Sequence, residues 1–197
     1  MALTNGWTTR IEEQIATLGD EAKCFVWMHS EAQAQNSRID RIFVNTVIVC
    51  NTVIGVLSLL ADGASWGSPQ LLGVGSIFLS MLGAFQSKWD YAEKANKHKN
   101  LAAQWTQLET KITRELSLEV QLRKHSNEFV QMIFEDAMKL EADGNYLLPE
   151  SIRTKCFEKY KNVPNFKTPT ICGFVEHTRN YWGWGSTTAL NEVQATC

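Results

Sequence analysis

The sequence predicts an all-α protein: a two-helix transmembrane hairpin extended into a cytoplasmic helical stalk, with extra short helices and an irregular C-terminal tail. Three observations carry this expectation. From Ile42 through Ser87 the only charged side chain is Asp62, although the chain of 197 residues holds 19 Lys and Arg and 21 Asp and Glu. Apolar residues on both sides of that stretch recur every three or four positions, the period of a helix buried on one side. No proline precedes Pro69, so nothing in the first third of the chain forces a helix to stop. The formal net charge of -2 argues against a nucleic-acid partner, which draws a basic face or stripe.

Residues 1–41 read as a cytoplasmic amphipathic arm. Thr9 and Glu12 stand at capping-box spacing, and Ile11, Ile15, Leu18, Ala22, Phe25, Val26 and Ala32 follow at helical intervals. Gly19 is a weak point in this helix, which is expected to run directly into the next element.

Residues 42–87 form the predicted hairpin, with helices over 42–61 and 71–87 and a loop over 62–70. The first run is 20 residues, about 30 Å as a helix, the thickness of bilayer hydrocarbon. Its twelve Leu, Ile, Val and Phe residues contribute about -4 to -7 kcal/mol to insertion, before Asn45, Thr46, Asn51, Thr52 and Ser58 subtract from it. The second run has eight such residues and Gly73, Gly75 and Gly83, and gains only about -2 to -5 kcal/mol, so it leans on the first. Asp62, Gly63, Ser65, Gly67, Ser68 and Pro69 give the loop a turn composition, and Trp66 suits the headgroup level. Arg38 and Arg41 precede the hairpin, Lys88, Lys94, Lys97 and Lys99 follow it, and the loop carries no Lys or Arg. The positive-inside rule then puts both termini on the cytoplasmic side. The competing reading is a helical hairpin buried in a soluble all-α core.

Residues 88–162 are the predicted cytoplasmic helical region. The helix is expected to continue past Ser87, with Tyr91, Ala95, His98, Ala102, Trp105, Leu108, Ile112 and Leu116 in a stripe that faces the N-terminal arm as an antiparallel stalk. His98, Trp105, Leu108 and Ile112 are its core. A further helix is expected from Ser126 to Ala142, with Phe129, Ile133, Ala137 and Leu140 on one face, and a short one from Pro149 to Lys161. Residues 163–197 form a tail broken by Pro164, Pro169, Gly173, Gly183 and Gly185. Its Tyr181, Trp182 and Trp184 suit docking on a small core, a partner surface or the membrane interface.

The hairpin followed by Lys88-Trp89-Asp90-Tyr91-Ala92-Glu93-Lys94, then His98-Lys99-Asn100-Leu101-Ala102-Ala103-Gln104-Trp105-Thr106-Gln107-Leu108 with Ile112 and Glu115-Leu116, resembles the SLATT family. Leu148-Pro149 and the helix ending in Phe157 and Tyr160 also fit, so the resemblance covers about residues 40–160. It implies a two-helix membrane effector that oligomerises into a pore on a signal from a separate sensor. The alternative is a membrane-anchored structural or adaptor protein, such as a membrane-embedded virion or scaffold component.

Small and polar residues line each predicted membrane helix: Asn51, Gly55, Ser58 and Asp62 on the first, Gly73, Ser76, Ser80, Gly83 and Ser87 on the second. Both seams are expected to point inward and to pack the two helices closely. The competing role is a polar pathway between assembled hairpins, lined by Asn45 and Asn51 with Asp62 at its mouth. Packing is preferred because no ionisable group inside the apolar runs marks an ion route.

His98 reads as a hydrogen-bonded core residue, with a sensing role as the sharper alternative. His29, His125 and His177 are dispersed, and no metal spacing follows from them. Cys24, Cys50, Cys156, Cys172 and Cys197 lack a Cys-x-x-Cys pair, and their odd number in a cytosol-facing chain points to reduced thiols. A Cys156–Cys172 bridge requires an oxidising space. No phosphate loop, nucleophile elbow or paired-carboxylate site is present, so no catalytic residue, cofactor or metal is expected. The expected partners are the lipid bilayer, further copies of the chain, and a separate sensor or scaffold protein.

Overall fold

The computed structural model describes residues 5–60, 69–164 and 166–173. Among these the protein is all-α, without strands. Its helices are α1 (Thr9–Leu60), α2 (Pro69–Trp89), α3 (Tyr91–Ser117), α4 (Ser126–Gly144) and α5 (Glu150–Tyr160), joined by short 3-10 turns.

α1 is a single helix of 52 residues, about 78 Å long. It starts one residue earlier than the Thr9–Glu12 box suggests: Thr8 is the cap, its hydroxyl accepting from the Ile11 amide at 3.3 Å. Glu12 does not fold back on that cap, because the Arg123 guanidinium holds it in an ion pair. Arg123 also stacks over Trp7, 5.1 Å from the ring centroid. With Trp7 Nε1 donating to the Lys124 carbonyl (2.8 Å) and Asn5 to the Arg123 carbonyl (2.8 Å), it ties the N-terminal turn to the link before α4.

The expected helix beyond Ser87 is interrupted at Asp90, which takes a left-handed conformation (φ 38°). Its carboxylate accepts from the Glu93 amide at 3.0 Å, so α2 ends and α3 begins with its own N-cap. An Asp accepts this conformation better than most residues because its short side chain can bond the local backbone.

α3 runs antiparallel to the first half of α1. Gly19 faces Ile112, Phe25 stacks on Trp105 with ring centroids 4.4 Å apart, and His29 meets His98. Farther along, Phe43 stacks on Tyr91 at 6.0 Å. Gly19, a weak point by helix propensity, is a point of close approach: a Cβ there would lie 3.2 Å from Ile112 Cγ2. α4 closes the core with Phe129, Ile133, Ala137 and Leu140, and α5 with Ile152 and Cys156. Trp105 is fully buried and Phe25 nearly so; truncating either to Ala removes about 3–5 kcal/mol. Of the aromatic tail, Phe166 stacks on Tyr160 at 4.9 Å and Cys172 is buried. Tyr181, Trp182 and Trp184 lie outside the described residues, as do Asp62 and the rest of 61–68.

α2 lies antiparallel against the second half of α1. Gly75 meets Ile54, with a Cβ position 3.1 Å from Ile54 Cδ1, and Leu79 is buried. Half-buried Val47, Cys50 and Ile54 mark the same inward side of α1.

Candidate functional site

Two features stand apart from ordinary core packing: the outward faces of the α1–α2 pair, and a cluster of titratable side chains inside the α1–α3–α4–α5 bundle.

The small-polar seams do not lie between α1 and α2, contrary to the packing expected of them. Asn51, Gly55 and Ser58 are exposed, as are Gly73, Ser76, Ser80 and Ser87, and Gly83 is half-buried. A Cβ at Gly55, Gly73 or Gly83 would meet nothing within 4 Å. The reason is register. At 100° per residue the Asn51–Gly55–Ser58 line is about a quarter turn from the inward Val47–Cys50–Ile54 line, and the Ser76–Ser80 line is turned by a similar angle from Gly75–Leu79. Because both helices are right-handed and run antiparallel, equal turns bring the two seams to the same side of the pair. Asn45 falls on the face opposite the inward side and is exposed, apart from the seam. Thr52, Ser58 and Ser80 hydroxyls donate to the carbonyls four residues back, at 2.9, 2.8 and 2.9 Å. The Asn45 and Asn51 amides have no intrachain partner among the described residues.

The remaining outward surface is apolar. Ile48, Val49 and Val53 on α1 and Val74, Ile77 and Phe78 on α2 are all at least half exposed. Among the described residues α1 is the one helix long and apolar enough to cross a membrane, and none of its most apolar stretch is buried.

The predicted stalk core is buried: His98, Trp105, Leu108 and Ile112 all lie at the α1–α3 contact, with Leu101 in the place expected of half-buried Ala102. His98 is not alone. Its Nδ1 lies 2.9 Å from His29 Nδ1, so one of the two rings carries its proton on Nδ1 and the other accepts. His29 Nε2 is buried without a hydrogen-bond partner among the described residues. Gly144 makes room for that ring: a Cβ there would sit 3.0 Å from His29 Nε2 and 3.3 Å from Leu101 Cδ1. Burial, and then the charge of His98, lower the His29 pKa from 6.5 to about 4. His98 is lowered as well, by burial and then by Lys97. His29 occupies the same stripe as Ala22, Phe25 and Ala32, which was the signal that it belonged to the core. Its pairing with a residue 69 positions away has no local signal.

Cys24, Cys156 and Cys172 are buried free thiols brought together from α1, α5 and the turn after Pro169, and Cys172 Sγ lies 3.8 Å from Met28 Sδ. A hydrogen bond with Cys172 pulls Cys156 down, but the bond with Cys24 and burial outweigh it, and the thiol is pushed up to about 12. Cys172 is raised by its bond with Cys156 and by burial. Thiols held protonated in this way are poor nucleophiles and poor metal ligands. Among the described residues no group of three or more His, Cys, Asp or Glu is arranged to hold a metal ion.

Comparison with protein-family models, curated proteins and solved structures finds no match for this chain.

Proposed function

We propose that the chain is a non-enzymatic integral membrane protein whose helical hairpin, 42–61 and 71–87, spans a bilayer with both termini on the cytoplasmic side. It self-associates through its small-polar side, in the manner implied by its resemblance to SLATT-type pore-forming or membrane-perturbing effectors. One observation carries this reading: the exposure of apolar side chains inverts along a single helix. In the first half of α1, Ile15, Phe25 and Met28 are buried; in the second half Ile42, Ile48, Val49, Val53 and Val56 stand 50–60% exposed. Covering these and their counterparts on α2 is worth on the order of 10 kcal/mol, comparable to the whole stability of a domain. Lipid supplies that cover, and the exposed seam then presents amides, hydroxyls and close-approach glycines to a second copy.

The test is alkaline extraction of membranes, followed by the mass of the protein in mild detergent. The expected result is retention in the membrane pellet and a defined oligomer; release by alkali contradicts the reading.

A membrane-anchored adaptor is the second reading. It is favoured by exposed Phe134 and Met138, one turn apart on the outer face of α4, together with exposed Leu122 and Tyr146. An adaptor loses partner recruitment when Phe134 and Met138 become Ser, whereas an effector keeps its membrane activity.

A further inference from the structure

At the junction of the α1–α2 pair with the bundle, an aromatic cluster and a set of unpaired cations occupy the same level. Phe43 stacks on Tyr91 at 6.0 Å, Trp89 meets Tyr91 edge-on at 6.0 Å, and Phe85 lies 6.2 Å from Trp89. Phe85 and Trp89 are nearly half exposed. Arg38 and Arg41 stand two to five residues before Phe43 on α1, within about 8 Å along the axis. Lys88 adjoins Trp89, and Lys94 Nζ sits 5.3 Å from the Tyr91 ring centroid. All four cations are exposed and none forms an ion pair among the described residues. Asp40, Asp90 and Glu93 share the level, but Asp90 is engaged in capping α3. A cleft beside Arg41 opens between Ser37, Asp40 and Val44 of α1 and Ala92 and Asn96 of α3.

We infer that Arg38, Arg41, Lys88 and Lys94 form a docking collar for the headgroups of anionic phospholipids, set by the Phe43–Phe85–Trp89–Tyr91 cluster at the edge of the hydrocarbon. The inference rests on the membrane reading above and adds a lipid class to it. The vertical placement of the arginines agrees with the bilayer: the headgroup layer is about 5–8 Å deep on each side, and Arg41 and Arg38 stand about 3–8 Å along the axis from Phe43, while Lys88 lies within the aromatic cluster itself. Aromatic side chains anchor at that boundary, and long cationic side chains reach from it toward phosphate. Arg38 and Lys88 fall on the outward backs of α1 and α2, while the cleft beside Arg41 lies on the seam side of α1, where Ser37 and Val44 precede Asn51 and Ser58 at seven-residue steps. A phosphodiester accepts from a guanidinium in a bidentate manner, and the polar Ser37 and Asn96 add hydrogen-bond capacity in the cleft.

The experiment is native mass spectrometry of the full chain released from nanodiscs of phosphatidylcholine and phosphatidylglycerol in equal parts, comparing the two lipids retained on the protein. The expected result is several-fold enrichment of phosphatidylglycerol, falling about two- to fivefold for each cation removed in Arg38→Gln, Arg41→Gln and Lys88→Gln, while the melting temperature is unchanged. Inorganic phosphate added in excess leaves the enrichment intact. Equal retention of the two lipids, enrichment unaffected by the substitutions, or displacement by inorganic phosphate overturns the collar alone. A chain that enters no nanodisc overturns it together with the membrane reading.

Discussion

His29 and His98 meet inside the protein with their Nδ1 atoms 2.9 Å apart, one from α1 and one from α3, and a single hydrogen bond joins them only while at least one ring is neutral. Charging both leaves two cations in contact, away from water. Lys97 adjoins His98, and the partly buried Glu141, whose carboxyl is raised by its burial, lies on α4 close to Gly144. The pair is therefore an acid-sensitive fastener of the long helices.

Stability follows from the direction of these shifts. Well above pH 6.5 His29 and His98 are neutral in both folded and unfolded chains and contribute no pH dependence. As pH falls from 6.5 toward about 4, the unfolded chain takes up protons that folded His29, with its pKa lowered to about 4, refuses. Stability drops over that window by about 3 kcal/mol from His29. Urea unfolding of the detergent-solubilised protein at a series of pH values checks this. The slope shallows in His29→Gln by the His29 share, leaving that of His98, whose pKa burial also lowers; an unchanged slope in that variant contradicts the assignment.

Gly144 tests the packing around the same ring. Gly144→Ala places a Cβ 3.0 Å from His29 Nε2 and 3.2 Å from His29 Cε1, on a fully buried ring, at an expected cost of about 1–3 kcal/mol. Gly55→Ala, where nothing lies within 4 Å, loses nothing within the protomer and gains up to about 1 kcal/mol of helix propensity. Thermal unfolding of the two variants side by side separates them; equal melting temperatures contradict the close contact at Gly144.

Asn51→Leu with Ser58→Leu removes an unpartnered amide and a hydroxyl from the exposed seam. A pore lined by this side loses conductance in planar bilayers, and the melting of the α1–α3–α4–α5 bundle does not move. An anchor keeps partner recruitment through the same change. Conductance equal to that of the parent removes the seam from any ion path.

Thiol reactivity checks the Cys24–Cys156–Cys172 cluster. Buried and held protonated, Cys156 and Cys172 react with maleimide at neutral pH at least tenfold more slowly than a free thiol, and reach full rate only in denaturant. Fast labelling of the folded protein contradicts their burial.

Much of the bundle was legible because helix packing writes itself into a 3.6-residue period. Ile15, Leu18, Ala22 and Phe25 on one side and His98, Trp105, Leu108 and Ile112 on the other announce two stripes with one facing partner. The break at Asp90 was not legible, because Lys88 to Lys94 keeps helical composition and the stop is made by one side chain folding onto the Glu93 amide. The direction of the seams was not legible either. Periodicity groups Asn51, Gly55 and Ser58 on one face, but it does not say which face of α1 meets α2; Ile54 makes that contact with Gly75, on the half-buried side it shares with Val47 and Cys50, and the seam is left outside. The His29–His98 contact and the three-thiol cluster join positions far apart in sequence, and no spacing rule reaches them.

Assembly of the proposed membrane hairpin through its exposed small-polar side is read from the mass of the detergent-extracted protein by light scattering. The expected result is a single defined oligomer that falls to smaller species in Gly55→Leu, where a large side chain occupies a close-approach position of the seam. A protein that is monomeric at every concentration in mild detergent, or an oligomer indifferent to Gly55→Leu, contradicts it.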